Sequence, residues 1–152
     1  MRISVFGLGY VGAVTSACLA REGFTVVGVD VNPDKVAMVS SGHAPIIELG
    51  LSDLLRAGVQ TGRLRATISA LEAVKATDVS LVSVGTPSRP DGTLDLTHVF
   101  TVCRELGAAI AVKGTTHVVV IRSTMLPGGT ARCREILREQ AGTVPVPVAF
   151  NP

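Results

Sequence analysis

Short apolar runs alternate with helix-like stretches along almost the whole chain. The strand-like runs occupy residues 3–6, 25–29, 64–68, 79–84, 117–121 and 146–150. The helix-like stretches between them occupy residues 13–22, 33–40, 51–60, 71–75, 96–112 and 130–140. This alternation is typical of a parallel sheet with crossover helices. We therefore predict an α/β fold with a doubly wound parallel sheet of about six strands and helices on both faces.

The composition agrees with one such domain over residues 1–152. Hydrophobic residues make up 47% of the chain and aromatic residues only 3%, as in parallel strands that are covered on both faces. The formal net charge is +2 with no run of like charge, so neither a nucleic-acid partner nor a membrane surface is predicted. The first strand begins directly at the N-terminus without a signal-peptide pattern, and we expect a cytoplasmic protein.

The turn between the first strand and the first helix carries Gly7, Gly9 and Gly12. The first glycine permits the tight turn, the second lets the backbone approach a pyrophosphate, and the third lets the helix pack closely on the strand. The second strand ends on Asp30, where a carboxylate can accept hydrogen bonds from both hydroxyls of an adenosine ribose. Together these features are typical of a Rossmann-type dinucleotide-binding domain.

Asp30 also favours NAD over NADP as the cofactor. A 2′-phosphate beside this carboxylate would be repelled, and no arginine follows directly to neutralise it. Lys35 is the nearest cation and could reach the ribose or the phosphates. Its position is equally compatible with a solvated charge on the next helix.

Two further strand ends carry hydroxyl groups. Thr86 follows the strand over 79–84, and Thr124 follows the strand over 117–121. Ligands of doubly wound sheets bind outside the carboxyl ends of the strands, which would place both hydroxyls at the cofactor edge. Spacing alone leaves open that both residues only cap helices or bind loop backbone.

The cysteines and histidines do not suggest a metal site or a nucleophile. The cysteines are odd in number, lack CxxC spacing and fall within predicted helices, so we interpret them as buried structural thiols. The histidines have no metal-ligand spacing, and we interpret them as surface or element-edge residues. These six residues are Cys18, Cys103, Cys133, His43, His98 and His117.

Several segments resemble one enzyme family in the same order along essentially the whole chain. They are GLGYVG, VDVNPDKV, SGHAPIIELGL, VGTPSRPDGTLDL and RSTMLPGG. The chain thereby resembles the nucleotide-sugar 6-dehydrogenases of the UDP-glucose/GDP-mannose dehydrogenase family. Ser88 and the segments 61–64, 102–107 and 122–128 are similar to the GDP-mannose branch.

The resemblance implies a function and a set of contacts. Family members oxidise the C6 alcohol of the sugar to a carboxylate, reducing two NAD in succession through a thioester on a cysteine. The substrate is a sugar nucleotide, and the full-length enzyme is expected to be a homodimer or higher oligomer. The implied cofactor contacts, beyond the glycines, are Tyr10 and Val11 at the glycine turn, Asp30 and Lys35 at the ribose, and Thr86 and Thr124 near the nicotinamide. Thr124 would also be a catalytic positioning residue, with its hydroxyl close to the reacting centre.

The chain departs from the family pattern in three places. Leu49 follows Glu48 where the family usually has proline, and Gly129 shifts the usual threonine by one position. The sequence ends at Asn151-Pro152, whereas the catalytic cysteine and the sugar-nucleotide domain of the family follow such a pair. We therefore expect an N-terminal NAD-binding domain whose nucleophile lies outside these residues.

Three alternatives stay open. They are the cofactor domain of a UDP-glucose 6-dehydrogenase, a non-catalytic NAD(H)-binding module, and an oxidoreductase of the hydroxyacid or 6-phosphogluconate type.

Overall fold

The computed structural model describes residues 1–151, and strands and helices alternate through them as predicted. The strands are β1 (Arg2–Phe6), β2 (Thr25–Val29), β3 (Leu64–Thr67), β4 (Val79–Val82), β5 (Val118–Ile121) and β6 (Val148–Phe150). The helices are α1 (Tyr10–Arg21), α2 (Pro33–Ser40), α3 (Leu51–Gln60), α4 (Ala70–Ala76), α5 (Thr97–Lys113) and α6 (Gly129–Ala141). Pro152 lies outside the described residues.

All six strands are parallel and lie in the order β3-β2-β1-β4-β5-β6. This order confirms the doubly wound, Rossmann-type prediction. The direction of winding reverses between β1 and β4, whose carboxyl ends therefore flank the crevice where doubly wound sheets bind ligands. The glycine turn follows β1 directly, so it lies at this switch point.

Helices cover both faces of the sheet, and each face has its own apolar core. On one face, α4, α5 and α6 pack on strand residues such as Phe6 and Val82. On the other face, α1 and α3 bury Ile3 and Val5 together with Leu8. Because both faces are buried, the strands read as nearly continuous apolar runs rather than as an alternating pattern.

Helix α1 begins at Tyr10, three residues before the predicted start at residue 13. The apolar periodicity starts late because the first turn of α1 contains the third glycine of the motif, which the sequence pattern assigns to the loop. Helix α2 begins as predicted, since the Asn32 side chain accepts a hydrogen bond from the Asp34 N–H at 2.9 Å and Pro33 takes the first helical position.

His117 lies directly before β5, at the edge of an element as predicted, but it is fully buried, so the prediction of a surface position is wrong for this histidine. Its Nε2 lies 2.7 Å from the Ser80 Oγ and its Nδ1 lies 3.0 Å from the Lys113 Nζ. The Ser80 Oγ in turn lies 2.7 Å from the Ser4 Oγ on the neighbouring strand. These partners satisfy the polar atoms of the ring and allow its burial. The other two histidines are exposed.

Cys103 and Cys133 are buried where α5 packs against α6, as predicted, whereas Cys18 is only partly buried. The helices approach closely at Gly107, because a Cβ there would lie 2.5 Å from the Gln140 Cβ. A hydrogen bond with Cys133, together with burial, raises the pKa of the Cys103 thiol far above its usual range. A thiol held neutral in this way does not serve as a nucleophile.

Candidate functional site

The glycine turn adopts a backbone that side chains would disrupt. Gly7 has φ +94°, a left-handed conformation, and a Cβ there would lie 2.9 Å from the Ser83 carbonyl oxygen. At Gly12 a Cβ would lie only 1.7 Å from the Gly7 carbonyl oxygen. No atom lies within 4 Å of the Cβ position at Gly9. The first and third glycines are therefore needed by the fold, and the second leaves open space above the backbone.

The N-terminus of α1 faces this open space. Gly9 is the N-cap and provides no side-chain hydrogen bond, and the first turn contains no acidic residue. The N–H groups of the first turn consequently have no intrahelical acceptor, and they carry the positive end of the helix dipole. Such a terminus is suited to bind a phosphate. The side chains of Tyr10 and Val11 are 59% and 48% exposed, so both are accessible at the turn.

Asp30 is fixed at the end of β2 by two backbone donors. Its Oδ2 accepts a hydrogen bond of 2.7 Å from the Leu8 N–H, and its Oδ1 accepts one of 2.9 Å from the Asn32 N–H. The Nζ of Lys35 lies 3.8 Å from the Oδ2, and the Asp30 side chain is only 9% exposed. Each carboxylate oxygen can accept more than one hydrogen bond, so a pre-oriented acceptor remains for a pair of hydroxyls.

A cleft of about 490 Å³ joins the glycine turn to Asp30. Its volume lies in the usual range of small-molecule sites, about 300–1,000 Å³. Of the residues predicted from the sequence, Gly7, Gly9, Asp30 and Lys35 line it. The cleft continues past Asp30 to Ile68, which follows β3, the edge strand beyond β2.

Thr86 and Thr124 lie at the same edge of the sheet but outside the lining of this cleft. Thr86 is half-buried in the loop after β4, and Thr124 is exposed in the loop after β5. The two loops are joined, because the Ser123 Oγ donates a hydrogen bond of 2.7 Å to the Val84 carbonyl oxygen. In the strand order both loops lie on the opposite side of β1 from Asp30. Gly85 and Pro87, on either side of Thr86, line the cleft, so Thr86 lies next to it although its own side chain is not part of the lining.

Sequence reasoning missed one wall of the cleft, which is a face of α5. The wall comprises His98, Thr101, Val102 and Glu105, at the spacing that places residues on one helix face. The periodicity of α5 was visible in the sequence, but the pattern directs attention to its buried stripe rather than to the adjoining polar face.

Sequence reasoning also missed a contact between the glycine turn and the loop before α3. The Tyr10 hydroxyl donates a hydrogen bond to the Glu48 carboxylate, which raises the pKa of Tyr10. This bond ties the loop over 43–50 to the N-terminus of α1. Ile47 and Leu49 of that loop are fully exposed.

Two findings within residues 1–151 concern other kinds of site. No group of three or more histidine, cysteine, aspartate or glutamate side chains there could hold a metal ion. In the same range, the helices are all too short or too polar to cross a membrane.

Comparison with known proteins agrees with this geometry. Residues 1–152 match the sequence model described as UDP-glucose/GDP-mannose dehydrogenase family, NAD binding domain. The chain belongs to this family. It is accordingly an NAD-binding domain of the nucleotide-sugar dehydrogenase type.

Relatives of the chain include GDP-mannose and UDP-glucose 6-dehydrogenases. The chain is 47% identical to a GDP-mannose 6-dehydrogenase from Pseudomonas savastanoi pv. phaseolicola, with all of the chain and 36% of the relative covered. It is 40% identical to a UDP-glucose 6-dehydrogenase from Rhizobium meliloti, with all of the chain and 34% of the relative covered. The fold superimposes with a TM-score of 0.94 on a crystal structure of a ternary complex of GDP-mannose dehydrogenase from Pseudomonas aeruginosa, at 45% identity, covering all of this chain and 36% of that one. The chain thus spans about a third of the length of these family members.

Proposed function

We propose that this chain is the cofactor domain of an NAD-dependent dehydrogenase that oxidises GDP-mannose to GDP-mannuronate by two successive hydride transfers. The observation that carries the proposal is the pre-oriented Asp30 carboxylate. It lies in the cleft that starts at the uncapped N-terminus of α1. A phosphate site and a hydroxyl acceptor joined by one cleft match the diphosphate and the ribose of a bound adenosine diphosphate.

The residues present fit NAD at this site. The open space above Gly9 admits the pyrophosphate, which the N–H groups of Tyr10 and Val11 would bind. Gly7 and Gly12 shape the turn, and Asp30 with Lys35 would hold the adenosine ribose. When bound, NAD supplies the hydride acceptor for oxidation of the sugar alcohol.

Thr86 and Thr124 serve the nicotinamide half in this proposal. Their loops lie at the carboxyl edge beyond the glycine turn, on the side away from Asp30. A dinucleotide that extends across the switch point from Asp30 would bring its second half to these loops. The exposed Thr124 hydroxyl would orient the substrate oxygen or a water molecule, a positioning effect rather than acid–base chemistry.

The proposed sugar nucleotide is supported by the sequence identities to GDP-mannose and UDP-glucose enzymes. Identity to GDP-mannose 6-dehydrogenases is 47% over the whole chain and 54% over 84% of it, against 40% to 44% for UDP-glucose enzymes over 99% to 100% of the chain. GDP-mannose is therefore the proposed substrate, with UDP-glucose as the alternative. We further propose that the natural enzyme is a homodimer or higher oligomer and works in the cytoplasm, where NAD and nucleotide sugars are available.

The proposal is tested by following NADH absorbance with the natural protein that contains this chain. We expect turnover with GDP-mannose and much slower turnover with UDP-glucose, with two NADH formed per sugar. The 152-residue chain by itself should bind NAD without turnover, since none of its three cysteines lines the cleft. Sustained oxidation by the chain alone would refute the proposal that the nucleophile lies outside these residues. A preference for UDP-glucose would refute the substrate assignment. NAD binding by a natural protein without turnover on either sugar would instead indicate a binding module.

A further inference from the structure

The cleft has an end that the ribose and phosphate contacts leave unexplained. Beyond Asp30 it is bordered by Val31 and by Ile68, whose exposed fractions are 87% and 65%. Both are branched apolar side chains exposed to solvent beside a concave site. A flat apolar group placed between them would remove this surface from water, a favourable change of about 25 cal/mol per Å².

The opposite wall of this end is polar and belongs to α5. Ile68 lies two residues before α4, which packs along α5, so the apolar border and the helix face are neighbours. Thr101 and Glu105 lie one helical turn apart on that face, and both line the cleft. Asp30, the other carboxylate that lines the cleft, lies 3.8 Å from the Lys35 Nζ, whereas Glu105 has no ion pair within residues 1–151.

A purine base is the group that matches both walls. Its faces are apolar enough to contact Val31 and Ile68, while its edge carries hydrogen-bonding atoms for the helix. Adenine presents an N6 amino group that donates hydrogen bonds, and a carboxylate only accepts them. A 6-oxopurine presents an acceptor oxygen at the same position, which a carboxylate would repel.

We propose that Glu105, with Thr101 beside it, recognises the adenine edge of the bound dinucleotide and selects a 6-aminopurine against a 6-oxopurine. Glu105 accepts the N6 hydrogen bond, and the Thr101 hydroxyl donates to N7 on the same edge of the base, so that the N1–H of a 6-oxopurine lies away from the carboxylate. This assignment rests on the proposed placement of the ribose at Asp30. It adds to the domain a base-selecting contact on α5, a helix that carries neither the glycine motif nor the ribose acid.

The test is calorimetric titration of the chain with NAD and with nicotinamide hypoxanthine dinucleotide, which differ in the group at C6 of the purine and in the proton on N1. We expect the wild-type chain to bind NAD at least about tenfold more tightly, because the 6-oxo oxygen of the analogue would place an acceptor against the Glu105 carboxylate. In Glu105→Gln the side-chain amide can donate to the 6-oxo group, and the preference should fall to about threefold or less. Glu139→Gln on α6 is the matched control, an exposed carboxylate away from the cleft that should keep the wild-type preference.

The outcomes separate this proposal from the proposed function. Equal affinity of the wild-type chain for the two dinucleotides, or an unchanged preference in Glu105→Gln, would overturn the role of Glu105 and leave NAD binding intact. Failure of the wild-type chain to bind NAD would overturn both. The Glu105→Gln variant should keep the wild-type melting temperature because Glu105 is exposed, so lost folding would also contradict the assignment.

Discussion

At the scale of single residues, the site depends on one carboxylate held by backbone. Asp30 was predictable because a βαβ unit places the residue that ends its second strand beside the glycine turn. Its bonds to the N–H groups of Leu8 and Asn32 were not predictable, since they follow from the path of two loops. These bonds orient the carboxylate before any ligand arrives, which lowers the entropic cost of binding.

Replacing this carboxylate should weaken the binding of NAD and reduce the difference in affinity between NAD and NADP. For Asp30→Ala we expect a loss of NAD affinity of about 1.5–3 kcal/mol, the range for a hydrogen bond to a charged group. NADP should lose less, because the change also removes repulsion of the 2′-phosphate. Calorimetric titration with both dinucleotides measures the effect, and Asp34→Ala on the exposed start of α2 is the control. An unchanged ratio of the two affinities would remove Asp30 from the ribose site.

The role of Thr124 can be separated from a structural role. Thr124→Val keeps the shape of the side chain and removes the hydroxyl. In the natural enzyme we expect kcat to fall at least about tenfold, equivalent to about 1.4 kcal/mol of transition-state stabilisation, with the melting temperature unchanged. Thr115→Val, in the exposed loop before β5, is the control. A lower melting temperature with kcat preserved would show that Thr124 only stabilises its loop.

At the scale of elements, the glycines of the turn have different roles, some in folding and one in binding. All three glycines were predictable from their spacing, but only the structure shows which of them the fold itself requires. Gly12 packs against the carbonyl of Gly7, whereas Gly9 borders empty space with an ordinary φ of −75°. The α5 wall was not predictable, because it depends on how a helix about 70 residues after Asp30 packs against α4 and α6.

Alanine at these two glycines should therefore have opposite effects. Gly12→Ala forces the backbone apart, and we expect a loss of about 3 kcal/mol or more in the free energy of unfolding. Gly9→Ala should keep the wild-type stability but weaken NAD binding at least about tenfold, since the new methyl group occupies the space open to the pyrophosphate. Urea denaturation and NAD titration of both variants measure the two effects. Tight NAD binding by a stable Gly9→Ala variant would contradict the placement of the pyrophosphate.

At the scale of the whole molecule, a polar chain crosses the core between the two halves of the sheet. His117 was assigned to a surface or an element edge because a lone histidine gives no sign of burial. Its partners come from a register that only the folded sheet defines, in which Ser4 of β1 lies beside Ser80 of β4. The apolar runs predicted a doubly wound parallel sheet of about six strands with helices on both faces, whereas this chain of side-chain hydrogen bonds depends on the exact pairing of strands.

Burial of His117 should make stability depend on pH. Burial, together with the nearby Lys113 charge, lowers the pKa of His117 to about 4, below its usual value of about 6.5. The unfolded chain therefore binds a proton first, and stability that is fully present above pH 6.5 is lost as the pH falls toward 4. The loss should be about 3 kcal/mol by pH 4. Asp78, whose pKa is lowered to about 2 by its hydrogen bonds with Arg2, contributes only at still lower pH.

The measurement is urea denaturation at several pH values between 4 and 7. His117→Gln should flatten the dependence in this window, while the exposed His43→Gln should leave it as in the wild-type chain. A slope that survives in His117→Gln would assign the pH dependence to another group.

The central claim is that NAD binds in the cleft with its adenosine ribose at Asp30. Calorimetric titration of the wild-type chain with NAD and with NADP, on one preparation, tests it most directly. We expect one NAD site per chain and NADP binding at least about tenfold weaker, a difference of about 1.4 kcal/mol. Equal affinity for the two dinucleotides, or no binding of NAD, would contradict the account.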